Sequence, residues 1–566
     1  MKPNLFRLQK SPMMVATGFI IWAALIWKYE ACFIPLFNMV DSSVAKLIVA
    51  FAVFWINIVW FYGIFHFVGI LFSKYSKPIP TINSFRIQES ENVAILYTTR
   101  NDFYWEAAES CLNQDYPFFT FFILDDSTNS EKQGQVKEFL NKYGDRCRLI
   151  HRKDTTGYKA GNLNHALSKL SGDYKYFAVV DADEVLPKNF LSKMVPYFRI
   201  DENIGFIQAN HRYRKAGISK FSSSMSKDVN LHWDLFLPAR NKYGFVMFYG
   251  HGAVIRTDVW KKAGGFPTIV SEDIGFAVRS RELGFHGLFL KDVVAEEAFP
   301  NNYPGFLRRE IKVVKGSLQF MTGHAGSFFA SNNVTVTEKL DLIASISVLF
   351  LPAIFMCFLI AANIILPILI ASHELTVQMT GGIREWGWFY NTEAFAAKIR
   401  ELWSWDFYLV TLITIIAPLF YQMNTLRRSP GRMLRYAAQS TAIFLSIIPA
   451  LVWETVSYLL NRQVEFVPTG DSATSRIGGK SKRELFSAGF GLLLFVFSLL
   501  TWNLALLTVA LSFMLHPILL RIGWNSSGLR IATLLPFLFF ISVFGSIPLL
   551  LIGTSGMLTV IMPAHH

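Results

Sequence analysis

The chain has 566 residues, 52% of them hydrophobic and 15% aromatic, with a mean hydropathy of +0.33. That is too apolar for an ordinary soluble enzyme, yet one long polar stretch interrupts the apolar runs, so a mixed membrane and soluble architecture is expected. The formal net charge of +13 comes from basic residues that flank apolar segments and form no nucleic-acid motif, which argues against nucleic acid and for contact with anionic lipid.

Taken in chain order, the first apolar run, at about 13–28, leads into further apolar sequence without a small-residue cleavage site, and is expected to remain as an anchor. A bilayer needs roughly 20 apolar residues in helix. The stretches 13–37, 45–73, 340–371, 406–423, 485–514 and 528–554 reach about that length. The apolar segment 434–460 is bounded by Arg427, Arg428, Arg432 and Arg435 on one side and by Arg462, Arg476, Lys480, Lys482 and Arg483 on the other. Two basic flanks belong on one side of a membrane, so 434–460 is expected to lie along the cytoplasmic interface, with a true span or a tight hairpin as the alternative. The resulting organisation is two N-terminal membrane helices in 1–75, a cytosolic domain in 76–335, and a helix pair with an external loop in 336–433. An interfacial helix and loop follow in 434–483, and two further membrane helices in 484–566. Cys32, Cys111, Cys147 and Cys357 show neither a disulfide framework nor a zinc spacing, as a reduced cytosolic domain would.

The polar region alternates β-rich runs with helical spacing: VAILYTT (93–99), FTFFILD (119–125), RLIHR and YFAVVDA. An α/β domain with a mostly parallel sheet follows, and ligands of such sheets gather at the carboxyl ends of the strands. Two acidic motifs fall there. Asp125-Asp126-Ser127 ends the second run, and Asp181-Ala182-Asp183-Glu184 ends the fourth. The alternation in D-x-D sets two carboxylates on one side of an extended segment, where hard oxygens suit Mg²⁺ or Mn²⁺ and a diphosphate. A surface pair at a strand end is the plainer alternative. Between them, 154–165 joins glycines, Lys159 and a helix start, which together suit a phosphate. Ser271-Glu272-Asp273 opens a later amphipathic run. An attacking hydroxyl needs a carboxylate to take its proton, and Asp273 is the candidate base, with a helix N-cap as its competing role.

The order TTRND, DDS, KAGNLN, DAD, GHGA (250–253), SED and a basic segment resembles the family 2 glycosyltransferases, in particular the processive membrane-bound branch of cellulose, chitin and hyaluronan synthases. The resemblance covers about 90–320 closely and the flanking helices more loosely. It implies a GT-A-type, Rossmann-like cytosolic domain inserted in a helical membrane bundle of about six spans plus interfacial helices. It further implies that Thr98, Thr99 and Asp102 meet the nucleotide base, with Asp126 on the uridine side. Lys159 and Asp181 would serve the donor diphosphate, and Asp181 and Asp183 the metal. Asp273, beside Glu272, would be the base of an inverting transfer, and His251, Gly252, Arg309 and Lys312 would lie in the acceptor and diphosphate region.

Two motifs depart from the family pattern. Where Q-(Q/R)-x-R-W is usual, alignment on Gly316 gives Arg309-Glu310-Ile311-Lys312-Val313, so the acceptor-stacking tryptophan is absent. Phe306, Phe320 and Trp233 are the candidate substitutes. Val464–Gly470 resembles a diverged gating loop, with Phe466 and Thr469 in corresponding places. The expected function is transfer of a hexose from a UDP-sugar, UDP-glucose first, to a growing polysaccharide exported across a bacterial inner membrane. Membrane or periplasmic export partners are compatible with that. The alternative is addition of a sugar to a lipid-linked or short oligosaccharide acceptor. A transporter with a nucleotide-binding domain would require polar residues inside the spans, which are few.

Overall fold

The computed structural model describes residues 10–38, 42–75, 89–214, 219–347, 350–365, 404–417, 429–461, 482–500, 504–524 and 527–536, with Val40 and Ile79. The proposed gating-loop residues Phe466 and Thr469, most of the external loop 372–405 and most of the expected span 528–554 lie outside the described residues. The chain divides into two compact units.

The first unit comprises Met1–Val15, Gly69–Leu349 and Glu454–Gly478. It is built on a 7-stranded sheet of order β3-β2-β1-β4-β6-β5-β7. The strands are β1 Val93–Thr99, β2 Phe119–Asp125, β3 Cys147–His151, β4 Tyr176–Asp181, β5 Ile204–Tyr213, β6 Ala253–Arg256 and β7 His286–Glu297. β1 runs parallel to β2 and β4, β2 to β3, and β5 to β7, while β6 is antiparallel to both its neighbours. The expected mostly parallel sheet is present, with β6 as the inserted exception. β1 and β4 are continuous apolar runs because helices cover both faces of the sheet. β3, at the edge, keeps only Cys147 buried.

Phe139, on the helix Ser130–Tyr143, shows how one face is sealed. It is fully buried and meets the rings of Phe103, Trp105, Phe121 and Tyr143. Burying one such side chain stabilises the fold by about 1.5–3 kcal/mol. That helix starts where it does because the Asn129 side chain accepts hydrogen bonds from the amides of Glu131 (2.8 Å) and Lys132 (3.2 Å).

The second unit comprises Ala16–Val68, Phe350–Trp453 and Gly479–His566. Trp60 is fully buried there, packed among Tyr29, Phe33 and Phe407 and donating its indole N–H to Thr411 Oγ1 at 3.0 Å. Among the described residues, 3 helices are long and apolar enough to cross a membrane, Met13–Pro35, Ser43–Tyr75 and Pro430–Asn461. The number becomes 4 if Val336–Ile346 and Leu351–Ile360 count as one broken span. Pro430–Asn461, expected along the interface, therefore has the length and hydropathy of a span. The run 485–514, expected to be one span, consists of two helices, Lys482–Leu500 and Leu504–Ile522, packed side by side. Gly491 permits this, since a Cβ there would come within 2.9 Å of Met514 Cγ and 3.1 Å of its backbone nitrogen. A hydropathy window sees one apolar run in either case.

Candidate active site

Sheet register assembles the site. Thr98 lies beside Asp181 across β1 and β4, and Thr99 beside Asp125 across β1 and β2, so the strand-end residues converge where an α/β sheet binds ligands. Thr98 Oγ1 donates to Asp181 Oδ1 at 3.3 Å. Asp102 Oδ1 accepts from Thr99 Oγ1 (2.9 Å) and from the Arg100 amide (2.7 Å), and burial raises its pKa above the usual carboxylate value.

The D-x-D is not extended, as alternation suggested. Only Asp181 belongs to β4; the Glu184 amide donates to the Asp181 carbonyl at 3.1 Å and closes a turn through Ala182 and Asp183. Tyr97 braces that turn from beneath, donating its hydroxyl proton to the Ala182 carbonyl (2.8 Å) while accepting from the Tyr104 amide (3.0 Å).

Lys159 stands in the first turn of the helix Tyr158–Leu170. Its ammonium pairs with Asp181 and donates to the Gly250 carbonyl at 2.9 Å. Burial opposes the charge on Asp181, but Lys159 and His251 outweigh it and hold the carboxyl well below the usual range. Asp183 behaves oppositely, pushed up to about 7 by burial and then by the charges of Asp181 and Glu297. A carboxylate disfavoured by carboxylate neighbours is one that a cation would stabilise.

Behind this pair lies a cluster that sequence reading did not assemble. His251 Nδ1 is 3.2 Å from Glu184 Oε1, its Nε2 is 3.4 Å from Glu297 Oε2, and His211 Nδ1 lies 3.4 Å from the same Glu297 oxygen. Burial works against a charged His251, yet Glu184, Asp181 and Glu297 raise it to about 10. His211 is fully buried and stacks on Trp233 at 4.4 Å. Gly252 has φ +58°, a Cβ there would collide with Glu184 Oε1 and come within 2.5 Å of His211 Nε2, and its amide donates to Glu184 Oε2 at 3.1 Å. That close approach is the reason for a glycine after His251. Glu184, His211 and His251 also have the geometry of a metal-ligand group among the described residues. With Asp181 and Asp183 beside them, the carboxylate oxygens suit a divalent cation, and the His251 imidazole would join them only on giving up its proton.

Asp273 and Glu272 open the helix Glu272–Glu282. Burial raises both carboxyls, and Asp273 adds to the rise of Glu272. Asp273 faces the same glycine as Lys159: a Cβ on Gly250 would sit 3.6 Å from Asp273 Oδ2 and 3.8 Å from Lys159 Nζ. The helix Tyr303–Gly323 docks directly on this turn. Gly316 leaves no room for a side chain against Ser271 Oγ, and Gln319 Oε1 accepts from the Val270 amide at 2.9 Å. From that helix Lys312 extends its charge to Asp181, Glu272 and Asp273, lowering the pKa of each. Arg309 instead pairs with Glu310 at 2.7 Å and lies over the Phe299 ring.

Asp126 is 5% exposed and held by Arg152, whose Nη2 reaches Asp126 Oδ2 at 2.6 Å. Trp233, Phe306 and Phe320 are all buried at 5%, 2% and 0% exposure, so none offers a ring face to an acceptor. Val313 is 40% exposed.

Residues 93–264 match the family model "Glycosyl transferase family 2". A curated relative from Oryza sativa subsp. japonica, "Probable glucomannan 4-beta-mannosyltransferase 7", is 23% identical over 269 residues, 46% of this chain and 45% of that protein. Thus the match spans less than half of the relative's length. Among solved structures, the mannosyltransferase PcManGT from Pyrobaculum calidifontis in complex with GDP-Man and Mn2+ aligns with 67% of this chain and 99% of its own, at 15% identity and a TM-score of 0.42. S. aureus TarS 1-349 in complex with UDP-GlcNAc aligns with 50% of this chain and 84% of its own, at 15% identity and a TM-score of 0.28.

Proposed function

We propose that the chain is a membrane-associated glycosyltransferase that moves a hexose from a UDP-sugar to a saccharide acceptor in a single inverting displacement. The observation that supports this most directly is the shared approach of Lys159 and Asp273 to Gly250, which sets a cation for the donor diphosphate and a buried carboxylate around one glycine. In this reading Asp273 takes the acceptor hydroxyl proton as the acceptor oxygen bonds to the sugar carbon and the bond from that carbon to the diphosphate oxygen breaks. UDP departs with the electron pair, its charge met by Lys159 and Lys312. Asp181 and Asp183, with His251 and Glu184 beside them, would hold Mg²⁺ or Mn²⁺, which supplies Lewis-acid stabilisation of the leaving diphosphate. Thr98, Thr99 and Asp102 line the nucleotide side.

UDP-glucose is the first donor to test. Coupling of synthesis to export of a polysaccharide, with the catalytic domain cytoplasmic at a bacterial inner membrane, agrees with the apolar helices and the basic residues beside them. Exposed Val313 favours a second reading, a non-processive transfer to a lipid-linked or short acceptor. A screen of UDP-glucose, UDP-N-acetylglucosamine and GDP-mannose, measuring nucleotide release and product mass with the full chain in lipid, tests the proposal. Release without a glycosylated product would sink it; single-sugar products alone select the second reading.

A further inference from the structure

Arg152 closes the RLIHR run and belongs to none of the acidic or glycine-bearing motifs, yet its side chain is among the most heavily bonded near the site. It stands just beyond β3, and its guanidinium and the Asp126 carboxylate are 6% and 5% exposed. Nε donates to Asp126 Oδ1 at 2.9 Å and Nη2 to Oδ2 at 2.6 Å, a two-pronged pair that joins the end of β2 to the residue after β3. The same guanidinium reaches forward. Nη1 donates to the Thr156 carbonyl at 2.7 Å, and Nη2 to the Tyr158 carbonyl at 3.0 Å.

Those two carbonyls bracket a pair of left-handed residues, Gly157 at φ +76° and Tyr158 at φ +54°. Glycine adopts that region freely, but in tyrosine the Cβ crowds the following carbonyl there. Such a conformation persists where its surroundings over-determine it. Here the surroundings are the guanidinium on both flanking carbonyls, and Asp154, whose carboxylate accepts from the Thr156 amide and hydroxyl, both at 2.9 Å. Gly161 completes the fit, since a Cβ there would come within 2.7 Å of Arg152 Nη1. The residue after this left-handed pair is Lys159. Its direction toward Asp181 and the Gly250 carbonyl is set by the backbone that Arg152 holds.

We propose that Arg152 is a positioning residue for the donor site: anchored on Asp126, it locks the left-handed turn at 157–158 and so aims Lys159 at the donor diphosphate. Asp126 then serves the scaffold and not the nucleotide base. The inference rests on the donor-site reading above, and transfer by the unaltered enzyme is the control that separates the two; without it the functional reading fails first.

The test is a double-variant cycle in the full chain, with UDP-glucose and GDP-mannose as donors. Arg152→Lys keeps the charge but loses the fork, and is expected to raise the donor KM about three- to tenfold, as loss of one or two hydrogen bonds does. Lys159→Met should raise it further, and the double variant should match Lys159→Met alone, because both act through one ammonium. Adding Tyr158→Gly, which removes the left-handed cost, should recover part of the Arg152→Lys loss. Asp126→Asn should raise the donor KM without altering the preference between the two nucleotides. If Arg152→Lys does not fold, Asp126→Asn carries the test. A lower kcat with unchanged donor KM marks a merely structural arginine and overturns the proposal, as do multiplying losses in the double variant. A changed UDP-to-GDP preference in Asp126→Asn returns that carboxylate to the base.

Discussion

The donor and acceptor sides of the proposed site are built by different means. On the donor side, strand ends in fixed register present Thr98, Thr99 and Asp181, and each is tied into a ladder whose slippage by one residue would reverse every side chain. On the acceptor side, one helix, Tyr303–Gly323, leans on the Ser271 turn through Gly316 and Gln319. Its buried face, with Phe306, Leu307, Leu318 and Phe320, and Lys315 on Glu454 at 2.6 Å hold it further, and its outward face stays open. Val313 faces outward at 40% exposure, so its identity changes without disturbing the contact that places Lys312. The donor side is constrained by backbone pairing, the acceptor side by the side-chain packing of one helix. Substitutions at the strand ends should therefore be severe, and those on the helix graded.

The largest effect is expected for Asp273→Asn, which keeps the shape of the turn and removes the proposed base. The turnover number should fall by about 10²–10⁴-fold with the UDP-sugar KM little changed, measured as UDP release. Turnover within threefold of the unaltered enzyme would falsify the assignment of the base. Next comes the metal. Chelation should abolish transfer and added Mg²⁺ or Mn²⁺ restore it, and Asp183→Asn should raise the metal concentration needed by more than about tenfold. Full activity in chelator would break the comparison at its donor side.

Lys312→Met probes the link between the two sides. Lys312 favours the ionised form of Asp273, whose pKa burial raises above the ordinary value. Removing the ammonium should raise it further, so the carboxylate is protonated over a wider range and the acid limb of the pH–rate profile moves to higher pH. A profile that stays in place separates Lys312 from the base.

The strands that carry the donor side were legible because buried parallel strands write themselves as apolar runs. VAILYTT and FTFFILD coincide with β1 and β2, and their terminal polar residues with the site. β6 was not legible as an antiparallel insertion, since four residues, Ala253–Arg256, carry no period that reports direction. The partnership of Arg152 with Asp126, and that of His211 with Glu184 and Glu297, join residues far apart in sequence whose types are ordinary in loops. The D-x-D was found but its shape was misread, because alternation alone does not distinguish a strand from a turn closed by the Glu184 amide. The fold-back between Lys482–Leu500 and Leu504–Ile522 was hidden for a similar reason, the apolar run being nearly continuous through it.

The smallest expected effect is the one that bears most on product length. Val313→Trp places an aromatic face where the resemblance to processive synthases would have it, at a position already exposed and on a helix whose docking residues lie elsewhere. A ring there adds contact area for a sugar, worth about 0.5–1.5 kcal/mol, which corresponds to a two- to tenfold lower acceptor KM. Donor KM should not move, because the strand ends that set it are untouched. If the missing tryptophan limits retention of the product, the variant should also lengthen it, read as a shift in product mass at equal UDP release. An unchanged acceptor KM would mean that the sugar does not pass over this face, and the acceptor path would then have to be sought away from the Tyr303–Gly323 helix.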